Sequence, residues 1–367
     1  MQYFEIDGWK ESAQPLSRLP EGAQPISFGL EYEVESTAFY RSDKVNAIPI
    51  TSLDQYIRAC NAITPCISHN IWYRGQLSTW NITASIFRSP VLVEREDSLI
   101  ETILTNYPED FESCHSFFSK LVKLKHYSCP SRLLDVTGNP LVALFFALQE
   151  VDRANPFGVV YTCFSKRTKE YFERNPLVAT YTAISRTNNN KCHECQVYKD
   201  HGSQRVPSLC HLQPELNPEV GCRLLRSLVF NALALNDEFE PKDSLTLDDF
   251  NGCIFVNPPM NNQRIVQQRG AFLIIGRNAE HPLMQSDQSV QAYFQVPTDY
   301  APTAPSGAIV QSMYGRQYTF VVPYSAKEAL LRGLDDLGIN DAFVFPEIER
   351  RINYYKEKLG SNHDATL

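Results

Sequence analysis

The run Leu141-Val142-Ala143-Leu144-Phe145-Phe146-Ala147-Leu148 constrains this chain more than any other stretch. Asn139-Pro140 in front of it supplies a capping side chain and a proline suited to the first helical position, so Leu141 to Gln149 reads as a helix. That helix is apolar on every side and has to be buried all round. It falls far short of the roughly 20 residues that cross a membrane, and no other apolar run approaches that length. A helix of this kind needs a large core. A chain of 367 residues, 43% of them hydrophobic, can build one.

Around it the patterning switches between strand and helix periods. Leu30, Tyr32 and Val34 alternate with Glu31, Glu33 and Glu35 inside 26–40, as in a strand with one wet face. Ser52-Leu53-Asp54-Gln55 has capping-box spacing and opens a helix with Leu53, Tyr56, Ile57 and Cys60 on one side. Further strands are read at Trp72 to Gly75, Arg132 to Thr137, Phe157 to Phe164, Cys253 to Val256, Ala271 to Ile275 and Arg316 to Pro323. Helical stripes run from Leu99 to Tyr107, from Phe111 to Val122, from a second capping box at Ser325 to Leu337, and through Ile348, Ile352, Tyr355 and Leu359. The fold class is α+β. The expected division is an N-terminal arm and strand (1–50), a main domain (51–280) interrupted by a loop-rich insertion (165–249), and a loop-rich stretch with a C-terminal strand and helices packed on the core (281–367).

A formal net charge of −8 repels phosphate backbones on average, which argues against non-specific nucleic-acid binding as the main activity. The first residues, Met1 to Asp7, lack a basic region followed by an apolar run, so no signal peptide is read. Ten cysteines in so long a chain is not the density of a disulfide scaffold. A cytoplasmic protein with reduced thiols and no membrane partner is expected. One cluster departs from that pattern. Cys192 and Cys195 have zinc-knuckle spacing, and with Cys210 and Cys222 they form a candidate structural zinc set, with His211 as a substitute ligand. Reduced loop thiols are the other reading.

Three groups of polar residues press against apolar neighbours, the setting in which sites are built. They are Trp72-Tyr73-Arg74-Gly75-Gln76; His126-Tyr127 followed by Pro130-Ser131-Arg132-Leu133-Leu134-Asp135-Val136-Thr137; and Gln267-Gln268-Arg269-Gly270-Ala271-Phe272. Together with Thr83 to Arg88, and in this order, they resemble the FRG domain, a prokaryotic and viral domain named for its Phe/Tyr-Arg-Gly signature. The resemblance runs from about Leu53 to Ile275. Its three-motif layout is similar to that of ADP-ribosyltransferases of the Arg-Ser-Glu type. That similarity implies an ADP-ribosyltransferase-like fold of split mixed or antiparallel sheets with flanking helices, and NAD as substrate. It implies Arg74, Thr137 and Gln268 as the catalytic set, with Tyr73, Arg74, Gly75, His126, Arg132 and Asp135 around the NAD.

Each position has a physical argument and a plainer alternative. A guanidinium on a rigid strand suits bidentate contact with a pyrophosphate, and Gly75 allows close backbone approach; Arg74 can equally pair with Asp135 in the core. Thr137 can bond the nicotinamide ribose or cap the helix after Asn139. Asp135 needs a partner if buried, with Arg132 or Arg74 the candidates. His126 and Tyr127 can stack on a ring or belong to the core. Gln268 stands where the transferase pattern has a glutamate: it can hydrogen-bond ribose hydroxyls but offers no negative charge, or it bonds a neighbouring strand with Gln267. Two functions follow. One is a toxin or anti-phage effector that transfers ADP-ribose to a protein or nucleic-acid acceptor and needs an antitoxin or regulatory partner. The other is a catalytically silent module that binds a nucleotide or a protein.

Overall fold

The computed structural model describes residues 4–7, 27–32, 45–63, 67–77, 82–149, 157–187, 231–232, 234–235, 252–276, 293–294 and 319–364. Its strands are β1 (Phe4–Asp7), β2 (Ser27–Tyr32), β3 (Val45–Pro49), β4 (His69–Gln76), β5 (Leu133–Thr137), β6 (Phe157–Lys166), β7 (Glu170–Phe172), β8 (Cys253–Asn257), β9 (Gly270–Ile275) and β10 (Thr319–Pro323). Its helices are α1 (Leu53–Ala62), α2 (Pro90–Glu94), α3 (Glu96–Asn106), α4 (Phe117–His126), α5 (Pro140–Leu148), α6 (Pro176–Ala183), α7 (Gln263–Gln268), α8 (Tyr324–Asp336), α9 (Asp341–Val344) and α10 (Ile348–Asp364). Among these described residues no helix is long and apolar enough to cross a membrane.

Local chemistry sets most helix starts. Asn139 accepts from the Leu141 N–H at 3.0 Å, so α5 begins at Pro140 as its sequence demands. Ser52 accepts from the Gln55 N–H at 3.3 Å, but Gln55 reaches back to the Thr51 N–H at 2.9 Å, one residue earlier than a capping box requires. The expected helix from Phe111 is broken: Pro108–Phe111 is a 3-10 turn, and Ser116 caps α4 through the Ser119 N–H at 3.0 Å. At the C-terminal end, α8 rises directly from β10 with Pro323 as its N-cap and no capping side chain, so Ser325 lies inside the helix.

The strands form one hydrogen-bonded order, β1-β2-β3-β10-β6-β4-β5-β9-β8-β7, ten strands wide. It is mixed: β3 with β10 and β7 with β8 are parallel, the other pairs antiparallel. β7 and α6 fall inside the stretch 165–249, where β7 extends the sheet along β8. The α+β class with helices flanking a mixed sheet is as expected. The expected split into separate sheets is not: β4 and β5 are joined, though only through Tyr73 opposite Thr137. By contrast β4 pairs with β6 from His69 to Gln76, and β5 pairs with β9 along its whole length. The sheet therefore has a seam instead of a gap.

One face carries two helical layers. α1, α5 and α8 cover the β4–β6–β10 half, burying Tyr73, Val160, Phe164 and Phe320. α3, α4 and α6 cover the β5–β9–β8 half, burying Leu133, Phe272, Ile274 and Val256. The opposite face, with Leu134, Val136, Tyr161, Cys163 and Leu273, is closed by Ile82 to Val93 and Phe294. α5 is the centre of the first layer, with Val142, Ala143, Leu144, Ala147 and Leu148 fully buried. It lies directly on backbone: a Cβ at Gly75 would stand 1.9 Å from the Ala143 carbonyl oxygen, and one at Gly158 2.3 Å from that of Ala147. Gly75 is thus a seat for α5. Gly75 also lines the cleft described next, but the space above its Cα is filled by a helix, not left open for a phosphate.

Candidate functional site

Where β4 and β5 part, the two helical layers part too, and a cleft of about 260 Å³ opens over the seam. That is near the small end of ligand sites, which run from roughly 300 to 1,000 Å³. Its lining joins Tyr73, Arg74 and Gly75 of β4, Asp135 and Thr137 of β5, His126 of α4 and Gln268 of α7. Seven of the sequence-predicted positions, distant along the chain, therefore meet in one place. Lys125, Phe146, Arg264 and Ile265 complete the walls.

Arg74 marks the seam. The Ile275 N–H donates to the Arg132 carbonyl at 3.1 Å and the Gly138 N–H to the Arg269 carbonyl at 2.9 Å. In an antiparallel ladder these bonds alternate, so Asp135 turns its carbonyl toward β4. β4 has already diverged there, and the Arg74 Nη1–H donates to that carbonyl at 2.8 Å in place of a backbone N–H. Its Nε–H donates to Gln76 Oε1 at 3.2 Å. Burial pulls the guanidinium below its ordinary pKa, with Asp135 opposing, yet an arginine keeps its charge in a protein. Arg74 is therefore a cation fixed at the floor of the cleft, bonded to the Asp135 backbone and not to its carboxylate.

The carboxylate of Asp135 has a partner that the sequence did not suggest: Lys125 at 2.9 Å, near the end of α4. Burial pushes Asp135 up, but Lys125 and Arg74 outweigh it and hold the carboxyl below its usual value. Its side chain is 56% exposed and faces the cleft. Next to it, burial holds His126 down at about 4; Arg264 and Lys125 add to that shift while Asp135 and Glu347 oppose it. The imidazole is neutral at pH 7. Between about pH 6.5, where an unfolded histidine titrates, and pH 4, the unfolded chain binds a proton that the folded one refuses, so stability falls as pH falls. His126→Gln is expected to flatten the decline of the urea midpoint across that window; an unchanged slope would remove His126 as its cause.

Thr137 and Gln268 meet each other. The Thr137 hydroxyl donates to the Gln268 backbone carbonyl and accepts from the Asn139 N–H at 3.0 Å, so it serves the turn into α5. Gln268 is not on the late strand: it is the last residue of α7, and its Nε2 donates to the Val344 carbonyl of α9 at 2.9 Å. Arg269 then takes a left-handed conformation (φ 46°), ending α7 and starting β9 at the next residue. Behind this wall Arg264 lies over the Phe345 ring at 4.8 Å and reaches Glu347 at 3.4 Å. α9 and the start of α10 thus brace the helix that carries Gln268.

Arg132 does not belong to the cleft. It is 1% exposed and pairs with Glu96, the first residue of α3, at 2.6 Å, beside the Phe87 ring. Ser185 also donates to Glu96, at 2.7 Å. The Arg132 side chain lies on the opposite face of the sheet from Asp135 and Thr137, so a neighbour in the motif is not a neighbour in the site. Lys125 and Arg264 are the charged cleft residues that sequence reading missed. Lys125 had one signal, adjacency to His126 among the basic residues closing α4; Arg264 had none. Cys192, Cys195, Cys210 and Cys222 lie outside the described residues.

The comparison with known families decides on the same stretch that builds the floor of the cleft. Residues 69–155 match the family model of the FRG domain. The chain carries an FRG domain. That match takes in β4, α4, β5 and α5, and therefore Arg74, His126, Asp135 and Thr137, and it ends before α7 and Gln268. No curated protein and no solved structure matches the chain. The matched stretch is the β4-to-α5 part of a wider sheet, and α7, outside the match, supplies the third wall.

Proposed function

We propose that this protein is an NAD-dependent ADP-ribosyltransferase, a toxin or anti-phage defence effector that modifies a host or phage macromolecule. One observation carries the reading: Arg74, Thr137 and Gln268, the positions expected from motif order alone, line one cleft. The cleft also has the charge a dinucleotide needs. Among its described lining residues Arg74, Lys125 and Arg264 are cationic and Asp135 is the one carboxylate; Lys125 pairs with Asp135 and Arg264 with Glu347, while Arg74 bonds neutral oxygens and keeps its charge for a phosphate. Neutral His126 and the aromatic Tyr73 and Phe146 offer surfaces on which a base or nicotinamide ring can rest. Cleavage of the nicotinamide–ribose bond builds positive charge on the ribose, which the site must offset.

The test is nicotinamide release from NAD by the full chain, with Arg74→Ala as the control. Loss of a fixed cation at a phosphate is expected to cost about 100-fold in kcat/KM, with the thermal melt showing that the variant folds. Calorimetry at millimolar NAD with no heat of binding would sink the proposal. A binding module without catalysis is the second reading, favoured by the Thr137 hydroxyl and the Gln268 amide being engaged within the protein itself. NAD bound but never cleaved would select it.

A further inference from the structure

We propose that Asp135, and not Gln268, supplies the negative charge that faces the ribose cation as the nicotinamide–ribose bond breaks; this rests on the transferase reading above. Gln268 is neutral, and one of its two amide N–H bonds is directed to the Val344 carbonyl, so it can add a donor or an acceptor but no negative charge. Asp135 is the single carboxylate among the described residues lining the cleft. It is more than half exposed there, and while one oxygen meets Lys125 at 2.9 Å the other has no partner among the described residues.

Its position is held from three sides. β5 fixes its backbone against Phe272 of β9, Arg74 binds its carbonyl, and Lys125 binds its carboxylate. A preorganised charge of this kind stabilises a developing cation without reorganising at the moment of reaction. The carboxyl sits below its usual pKa, so it stays ionised and is a poor proton acceptor; its role is electrostatic. In the step itself, the bond between ribose C1′ and the nicotinamide nitrogen breaks and its electron pair leaves with the nicotinamide, which becomes neutral. A lone pair of the acceptor forms the new bond to C1′, and the acceptor's proton passes to water. Asp135 remains a carboxylate throughout. A glutamine at the third motif position is then no obstacle, because the charge comes from the neighbouring strand.

Nicotinamide release and calorimetric NAD affinity, measured on the full chain with Asp135→Asn, Asp135→Glu and Gln268→Ala, test this. Asp135→Asn is expected to lower kcat by about 100-fold or more while leaving the NAD Kd within about 3-fold, since the charge matters mainly in the transition state. Asp135→Glu is expected to recover at least about a tenth of the parent rate, and Gln268→Ala to lose less than about 10-fold. A merely structural role would lower the melting temperature and move Kd and kcat together. An Asp135→Asn protein within about 3-fold of the parent kcat overturns this inference and leaves the transferase reading standing. A parent that releases no nicotinamide overturns both.

Discussion

Gly75→Ala is expected to destabilise the protein by about 3 kcal/mol or more, the upper range for forcing an extra carbon into a packed core. The new methyl would stand 1.9 Å from the Ala143 carbonyl oxygen and 2.9 Å from the Ala147 nitrogen. These are backbone atoms of α5, so no side-chain rotation can make room. Either α5 lifts from β4 or β4 bends, and both disturb a helix whose Val142, Ala143, Leu144, Ala147 and Leu148 are fully buried. Urea unfolding followed by fluorescence measures the loss. Gly360→Ala is the control: nothing lies within 4 Å of a Cβ there, and alanine favours the surrounding α10 by up to about 1 kcal/mol. If Gly75→Ala unfolds within about 1 kcal/mol of the parent, α5 does not rest on Gly75 as described.

Glu96→Ala is expected to cost about 3–5 kcal/mol, because it leaves the Arg132 guanidinium buried without its counter-charge. The pair is 2.6 Å apart with side chains 1% and 3% exposed, so water cannot replace the lost carboxylate. Ser185 loses its acceptor in the same change. Replacing both members by apolar residues of similar volume, as in Glu96→Leu with Arg132→Met, is expected to recover most of the loss, since the desolvation cost of both charges disappears together. The comparison also sorts two arginines of one domain. If the cleft binds NAD as proposed, Arg132→Ala should weaken folding yet leave NAD affinity per folded molecule unchanged, whereas Arg74→Ala should weaken NAD affinity and, by freeing the Asp135 carbonyl, lower stability to a smaller extent. A Glu96→Ala protein as stable as its parent would show that the pair is not buried in solution.

Much of this architecture was legible beforehand where one short-range force dominates. Asn139-Pro140 and an unbroken apolar run leave α5 no other conformation or location, and its start at Pro140 follows. Strands β4, β5, β6, β8 and β9 lie where their β-rich runs are. The failures cluster where the deciding contact is remote. Ser325 has capping-box spacing, but β10 passes straight into α8 and makes the cap unnecessary. Gln268 looks strand-like because it precedes Ala271 to Ile275, yet the left-handed turn at Arg269 keeps it on a helix.

Periodicity, capping and glycine placement act over a few residues, so the class of fold, the buried helix and the motifs within residues 69–155 that match the FRG domain are legible in the chain without its tertiary structure. Which motif residues share a cleft was decided only in three dimensions. Strand alternation sends Asp135 and Thr137 to one face of the sheet and Arg132 to the other, and only the packing of α4 brings Lys125 to Asp135. The divergence of β4 from β5 beyond Tyr73 opens the seam that Arg74 bridges. Those outcomes depend on which strands pair and which helices cover them, and pairing partners far apart in the chain are set by the global burial of apolar surface, not by any local signal.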